Sequence, residues 1–306
     1  MVGIRARWAA FITEAGASAG HRQGVAPVSP PRTSRRPVSL AAASLAALPA
    51  MRRAQAVDPA SASRRVERWQ DLQAALFDGR VTERAVAGAL ELAAPRRAVD
   101  AAAVPVSVAL SPDLASGLRA LWLVVDENPA PLAVHAEPGP AGGLRSFSTV
   151  LRVDAHTLVH AVAETTDGRL LETSSFVEAS RGFSAPLNVD FYEARPGMGR
   201  MRLGMPEGPP TPGRAVPVHL SVSHPNTTGM QIDGRSRAPL PVSFLHRVEI
   251  RYRGAEVLRI EAETSVAEDP AFAFTLSGEP GGELRVEAED SDGRRFRSAW
   301  TLGVTG

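Results

Sequence analysis

Cysteine and lysine are both missing from this 306-residue sequence. The lack of cysteine excludes disulfides, thiolate metal ligands and thiol nucleophiles. All 34 basic residues are arginine, so Schiff-base chemistry on a lysine amine is excluded as well. Any chemistry that this protein performs must use other groups.

The familiar catalytic signatures are missing too. The sequence has no G-x-S-x-G, H-E-x-x-H, P-loop or dinucleotide-binding pattern. Acidic residues are plentiful, but they fall mainly on the polar faces of predicted strands. We therefore predict a protein that is not an enzyme, with no cofactor and no metal site.

The N-terminal 56 residues have the composition of an export signal. Arg35 and Arg36 precede a weakly apolar run over residues 37–50, and a short basic segment then ends in Ala-Gln-Ala at 54–56. This order is typical of a signal peptide, and the run is shorter than the roughly 20 apolar residues of a membrane-spanning helix. The paired arginines favour the twin-arginine route over Sec. We predict that residues 1–56 are a signal with an over-extended start, disordered or cleaved, and that the mature protein is periplasmic.

Removal of that segment reverses the sign of the net charge. The whole sequence has a formal net charge of +1 at pH 7, but residues 1–56 hold eight arginines and a single acid, Glu14. The remaining 26 basic and 32 acidic residues give the mature chain a net charge of −6. An acidic product is unsuited to nucleic acid or to an anionic membrane. We therefore predict no nucleic-acid partner and no membrane insertion.

Hydrophobic periodicity predicts one helix followed by strands. Apolar residues recur at three-to-four spacing over residues 61–79 and stop at Gly79, which is typical of an amphipathic helix. From Val104 onward, runs such as VPVSVAL and LRALWLVVDE are separated by turn signals at 126–129 and 166–168. This rhythm predicts an antiparallel sandwich of about seven strands.

A second set of strands follows a segment rich in proline and glycine. Residues 185–217 contain seven prolines and five glycines, which favours a linker or an extended loop. Beyond it, runs such as VPVHLSVS, EVLRIEAET and GELRVEAED again have strand character. The predicted fold is all-β: a short N-terminal helix and two immunoglobulin-like β-sandwich domains in tandem, residues 57–186 and 216–306, joined by a linker over 187–215.

Three histidines are candidates for a site. His156 and His160 lie four residues apart in one predicted strand, about 13 Å along an extended chain. That separation is too large for a shared metal and favours a solvent-facing or rim pair. His224 precedes Pro225 at the end of a strand, where loops often carry function. We keep it as a weaker candidate beside a purely structural role.

Each half of the chain also carries motifs of a known kind. The first half has a W..L....F.G helix, the run LELAAPRRAVDAAAVPVSVAL and the tail FVEASRGFSAP. The second has SHPNTTGM, then FLHRVEIRYRGAEVLRIEAETSVAEDPAFAFTLSG, then GGELRVEAEDSDGRRFRSAW. On these motifs, residues 66–186 resemble SoxY and residues 197–302 resemble SoxZ, the partners of a periplasmic thiosulfate-oxidation carrier. The whole is similar to the fused SoxYZ-like family found with quinoprotein dehydrogenases.

The resemblance implies a non-enzymatic covalent carrier. In the family, the SoxY sandwich ends in a glycine-rich swinging arm with a cysteine whose thiol bears the sulfur substrate, and SoxZ docks against it. Glycine gives such an arm backbone freedom, and a thiolate is a strong nucleophile. The implied partners are Sox-type proteins or periplasmic dehydrogenase components, together with intramolecular SoxY–SoxZ pairing.

The arm of this chain departs from the family pattern at its reactive position. Against Gly-Gly-Cys-Ser-Ala-Pro, residues 181–186 read Arg-Gly-Phe-Ser-Ala-Pro, so Phe183 stands where the cysteine belongs. Ser184 has no base in sequence reach to activate its hydroxyl, and covalent sulfur carriage by the family's route is therefore not predicted. Four explanations are open: loss of the carrier chemistry, insertion of Phe183 into a partner's apolar pocket, gene drift, or packing of Phe183 on the protein's own surface.

The favoured interpretation is a SoxYZ-like carrier or binding accessory, linked to sulfur-compound oxidation or to a quinoprotein dehydrogenase system. Its carrier-arm or partner-binding residues are predicted to be Arg181, Gly182, Phe183 and Ser184, with His224 as a weaker second. The alternative is a purely structural protein–protein interaction module without cargo.

Overall fold

The computed structural model describes the backbone of residues 59–303 and the side chains of residues 63–303. The predicted export signal lies outside these residues. The chain divides into two compact units, Met1–Arg68 and Trp69–Gly306, and the sheets and sites below belong to the second. Within the described part, no helix is both long and apolar enough to cross a membrane.

Helix is a minor component, as the sequence predicts. The main helix runs close to its predicted position, and its apolar residues Leu72 and Leu76 are buried together with Phe77, which follows it. Gly79 adopts φ +76° just after the helix, a conformation natural to glycine at a helix end. The helices are α1 (Pro59–Leu76), α2 (Pro112–Ser116) and α3 (Phe191–Ala194), the last followed by a 3-10 turn, Arg195–Gly197.

Strands are the main regular structure and confirm the predicted all-β class. Inward and outward positions alternate along them; β3, for example, has a buried residue at every second position. The strands of the first half are β1 (Glu83–Arg84), β2 (Leu90–Ala93), β3 (Val104–Leu110), β4 (Leu118–Val125), β5 (Leu132–Pro138), β6 (Ser146–Leu151), β7 (Thr157–Thr165) and β8 (Leu170–Val177). Those of the second half are β9 (Met201–Gly204), β10 (Val216–Val222), β11 (Leu245–Tyr252), β12 (Ala255–Ala262), β13 (Ala271–Leu276), β14 (Glu283–Asp290) and β15 (Arg295–Thr301).

The strands form two sheets, and each sheet draws on both halves of the chain. One has nine strands in the order β1-β8-β7-β4-β5-β12-β11-β14-β15, and the other has six in the order β2-β3-β6-β13-β10-β9. Apart from the short parallel pair β1–β8, neighbouring strands are antiparallel. The inner faces of the two sheets supply one hydrophobic cluster that contains residues of both halves.

The two halves are joined edge to edge at two strand pairs. In the larger sheet β5 pairs with β12 from Val134–Ala262 to Pro138–Leu258. In the smaller sheet β6 pairs with β13, where Phe147 lies opposite Phe274. The join therefore satisfies backbone hydrogen bonds that would otherwise lie at open sheet edges.

The proline- and glycine-rich segment between the halves carries structure of its own. It contains α3, the 3-10 turn and strand β9, which pairs with β10 at the edge of the smaller sheet. Asp190 caps α3 by accepting hydrogen bonds from the backbone N–H groups of Tyr192 and Glu193. The segment thus supplies an edge strand where the sequence predicts a linker.

Candidate functional site: the arm and its surroundings

The arm follows β8 and lies against the loop after β6. The backbone N–H of Arg181 donates to the carbonyl of Asp154 at 2.7 Å, and that of Gly182 donates to the carbonyl of Val153 at 3.2 Å. The next N–H, of Phe183, donates to Oδ1 of Asp154 at 3.1 Å. Three successive backbone donors of the arm are therefore satisfied by two residues of one loop.

Glycine is required at the second position of the arm. A Cβ on Gly182 would lie 2.2 Å from the carbonyl oxygen of Ala101 and 2.6 Å from that of Val153. Both neighbours are backbone atoms, which cannot move aside as a flexible side chain can. Gly182 thus permits the close approach of the arm to its own domain, whereas the family's arm uses glycine for freedom of movement.

Phe183 is packed inside this protein. Its side chain is 1% exposed, and its carbonyl accepts a hydrogen bond from Oγ1 of Thr228 at 2.8 Å. In this conformation the Phe183 ring packs against the protein itself and offers no surface to a partner. Arg181 and Ser184 on either side are exposed. A partner-binding role for these residues remains a prediction.

Two residues that sequence reasoning passed over hold the arm in place. Asp154 belongs to the first half and Thr228 to the second, so the arm is fastened to both. Thr228 lies within the quoted SHPNTTGM motif, and Asp154 directly follows the β6 run LRV. Both residues lie in or beside motifs that the sequence analysis names, but the periodicity of the sequence does not indicate that both contact Phe183.

The rest of the SHPNTTGM motif ties loops of the sandwich together. Asn226 donates from Nδ2 to the carbonyl of Val266 at 3.1 Å and accepts from the N–H of Leu245 at 2.9 Å. Thr227 donates to the carbonyl of Pro241. These are buried side chains with satisfied polar groups, which is how polar residues persist in an interior.

His224 is buried and neutral. Its Nδ1 accepts a hydrogen bond from the N–H of Asn226 at 3.0 Å, so the proton of the neutral ring is on Nε2, 3.4 Å from Oδ2 of Asp290. Burial lowers the pKa of His224 and outweighs the attraction of Asp290. The side chain is 1% exposed, which is typical of a structural histidine, and a functional role for His224 remains a prediction.

His160 is buried as well, so the predicted solvent-facing or rim position is wrong for it; His156 alone of that pair is exposed. Its Nδ1 lies 2.7 Å from Oε1 of Glu172, and its Nε2 lies 3.1 Å from Oδ2 of Asp126. The indole ring of Trp69 stacks on it at 3.8 Å. Burial alone would lower the pKa of His160, but hydrogen bonds to the two carboxylates raise it to about 8.

The described residues contain no group of three or more histidine, aspartate or glutamate side chains arranged to hold a metal ion. His160 is paired with two carboxylates through hydrogen bonds on both ring nitrogens, which leaves neither nitrogen lone pair for a metal. Its cluster stabilises the packing of Trp69, whose Nε1 donates to Oε2 of Glu172 at 3.0 Å.

Fold and arm together define a pair of joined β-sandwiches with a peptide arm folded back between them. Each half of the chain matches the model of one protein family. The model of "Sulfur oxidation protein SoxY" matches residues 73–182, and that of "Sulphur oxidation protein SoxZ" matches residues 205–301. Together the two models span more than half of the chain, so the chain belongs to the SoxY and SoxZ families and is a fused SoxYZ-like protein.

Comparisons with individual proteins add less. The sulfur carrier protein SoxY from Chlorobium limicola f thiosulfatophilum is 21% identical, over 39% of this chain and 98% of that chain, with a TM-score of 0.34. A beta-glycosidase from Bacteroides vulgatus is 8% identical over 70% of this chain and 24% of its own, with a TM-score of 0.21. No curated protein matches the chain.

The family assignment places the chain among carrier-type proteins of sulfur oxidation, which are accessory rather than catalytic families. It also accounts for the two strand pairs that join the halves, since SoxY and SoxZ are expected to pair. The SoxY match reaches Gly182 and ends one residue before Phe183.

Proposed function

We propose that this protein is a non-enzymatic accessory of the periplasm that binds Sox-type or quinoprotein dehydrogenase components and does not carry sulfur covalently. One observation carries the proposal. At the position of the family's cysteine the chain has Phe183, whose ring is buried and whose backbone N–H and carbonyl are bonded to Asp154 and Thr228. A buried hydrocarbon ring has no lone pair to attack a sulfur compound.

The neighbouring hydroxyl offers no substitute. Ser184 is exposed, but among the described residues no histidine or carboxylate is hydrogen-bonded to it. A serine without a base is a weak nucleophile near neutral pH. Both observations support non-covalent binding as the function of this member.

A second candidate is an interaction module that binds partners and no cargo at all. The same closed arm favours it, because an arm bonded to both halves of its own chain is not free to visit a partner's active site.

Two measurements on protein purified from its native cells test the proposal. Intact-mass spectrometry after growth on thiosulfate is expected to show the unmodified mass of a chain that starts at Val57, in a periplasmic fraction. A sulfur adduct would contradict non-covalent binding. A start before residue 57 together with a cytoplasmic location would contradict export.

Affinity purification with the tagged mature chain tests the partners. Sox-type proteins or quinoprotein dehydrogenase subunits are expected to co-purify from the periplasm. If a Sox-type or dehydrogenase preparation that is added in excess fails to bind, the accessory role is wrong. If binding occurs but small sulfur compounds never bind, the module without cargo is the better description.

A further inference from the structure

A cavity of about 260 Å³ lies directly beside the arm. Ala185 and Pro186, the two residues that follow Ser184, form part of its wall. Four of its lining residues are ionisable, namely Arg152, Asp100, Glu268 and Asp269. The proposed function uses none of these four residues.

Arg152 lines this cavity, and among the described residues its guanidinium makes a single hydrogen bond. It is 2% exposed, and its NH1 donates to the carbonyl of Val266 at 2.6 Å. Among the described residues no carboxylate lies within 4.0 Å of its guanidinium. A guanidinium has five N–H donors, and a buried charge is costly unless it is paired. The guanidinium of Arg152 would therefore be stabilised by an acidic group bound in the cavity.

The three acids of the cavity are more exposed than Arg152 and are hydrogen-bonded to other groups. Glu268 accepts from the backbone N–H of Asn188 at 2.8 Å, and Asp269 accepts from that of His224 at 3.0 Å. Asp100 accepts from the N–H of Ala102 at 2.8 Å. These three carboxylates do not reach the guanidinium, and they line the cavity as a second, oppositely charged region.

Arg152 remains charged at neutral pH in this setting. Burial lowers the pKa of its guanidinium to about 10, and the charges of Glu268 and Asp100 oppose that fall. The acids are thus close enough to interact through space with Arg152 but too far away to pair with it directly.

We propose that this cavity binds a small zwitterion, such as an α-amino acid or an aminosulfonate, with its acidic group on Arg152 and its amine facing the carboxylates. A simple dianion would pair with Arg152 but would meet the repulsion of three carboxylates. A simple amine would leave the Arg152 guanidinium without a directly paired acidic group. Only a molecule with opposite charges at its two ends satisfies both regions. This site does not depend on the proposed function, since no part of it uses the position of the missing thiol.

Calorimetric titration of the full chain tests the charge pattern directly. Glycine, β-alanine and taurine are the zwitterionic probes; acetate, sulfate, thiosulfate and ethylamine are the singly signed ones. At least one zwitterion is expected to bind saturably and at least 10-fold more tightly than any of the others. Tighter binding of sulfate or thiosulfate would show an anion site, and tighter binding of ethylamine a cation site. Either result, or no binding by any probe, would overturn the proposal.

Three variants place the ligand in the cavity. Arg152→Gln is expected to weaken binding of the zwitterion at least 10-fold, whereas Arg145→Gln, an exposed arginine outside the cavity, leaves it unchanged. Because a change at a buried arginine can impair folding, Ala185→Leu provides an independent block from the half-buried wall. Glu268→Gln is expected to weaken the zwitterion and strengthen sulfate. Equal affinities in all of these variants would put the ligand elsewhere.

Discussion

His160 and His224 show how local hydrogen bonds decide the charge of a buried side chain. Both ring nitrogens of His160 face carboxylate oxygens, which accept only, so both nitrogens must be protonated. His224 instead accepts a backbone N–H on Nδ1, and a proton there would break that bond. The first ring is therefore held as a cation and the second as a neutral group, although both are surrounded by protein.

Replacing His160 should remove a stability contribution that depends on pH. Its pKa is raised from 6.5 to about 8, so its contribution, about 2 kcal/mol at one pKa unit per 1.36 kcal/mol, is fully present below pH 6.5. It is lost as pH rises through 8. Urea unfolding of the native chain at pH 6 and pH 9 should therefore show a drop that His160→Gln lacks.

His219→Gln is the control for that measurement, because His219 is exposed. It should keep the fall in stability between pH 6 and pH 9. The same fall in His160→Gln would mean that another group is responsible. His224 works in the opposite direction: its lowered pKa makes its contribution fade as pH falls below 6.5.

The burial of residue 183 can be measured by the reactivity of a single introduced thiol, since the chain has no cysteine of its own. In Phe183→Cys the thiol should react with a disulfide reagent at least 100-fold more slowly in the native protein than in urea, because the site is 1% exposed. Ser184→Cys, one residue away and exposed, should react quickly in both states. Fast native labelling at 183 would show that the arm opens readily.

At the scale of elements, the position of the arm depends on a small number of hydrogen bonds. One of them, from Oγ1 of Thr228 to the carbonyl of Phe183, links the arm to the second half. A hydrogen bond of this kind contributes about 1 kcal/mol. Thr228→Val keeps the shape of the side chain and removes this hydroxyl, which also lies 2.8 Å from Oε1 of Gln231.

Thr228→Val should make the arm open about 5-fold more often, in line with about 1 kcal/mol. Trypsin cleavage after the exposed Arg181 and hydrogen exchange of the 179–184 amides both report that opening. Thr301→Val, on an exposed position of β15, serves as the matched control. Unchanged cleavage and exchange in Thr228→Val would mean that Val153 and Asp154 hold the arm without Thr228.

Sequence patterns predicted most of the strands, and the reasons for the omissions are physical. Runs of strand character became strands such as β3, β4 and β10, but β1, β2 and β9 have only two to four residues, too few for a period to be recognised. β9 is further obscured by the prolines and glycines around it. The environment of His160 was missed because Asp126, which directly follows β4, and Glu172 of β8 are brought together only by the fold.

At the scale of the whole molecule, the sequence predicted two β-sandwiches in tandem but did not predict that their sheets continue across both halves. Periodicity shows which face of a strand is buried but does not show which strand lies beside it. The pairs β5–β12 and β6–β13 join residues from opposite halves. Each half alone would therefore expose two strand edges that the intact chain covers.

Separate expression of the halves tests that dependence. Residues 57–186 alone should be aggregated or partly unfolded, because the edges of β5 and β6 are open to other chains. Co-expression with residues 187–306 should restore a soluble 1:1 complex, as judged by size-exclusion chromatography with light scattering. A monomeric 57–186 fragment with a cooperative thermal transition would show that the halves fold independently.

The join between the halves also changes how assembly responds to dilution. In separate SoxY and SoxZ chains, pairing is a second-order process with a dissociation constant. In this chain the two edges are held by one polypeptide at an effective concentration set by the connecting segment, and lengthening such a connection costs little. Stoichiometry is then fixed by translation, and the paired state should persist at nanomolar concentrations as it does at micromolar ones.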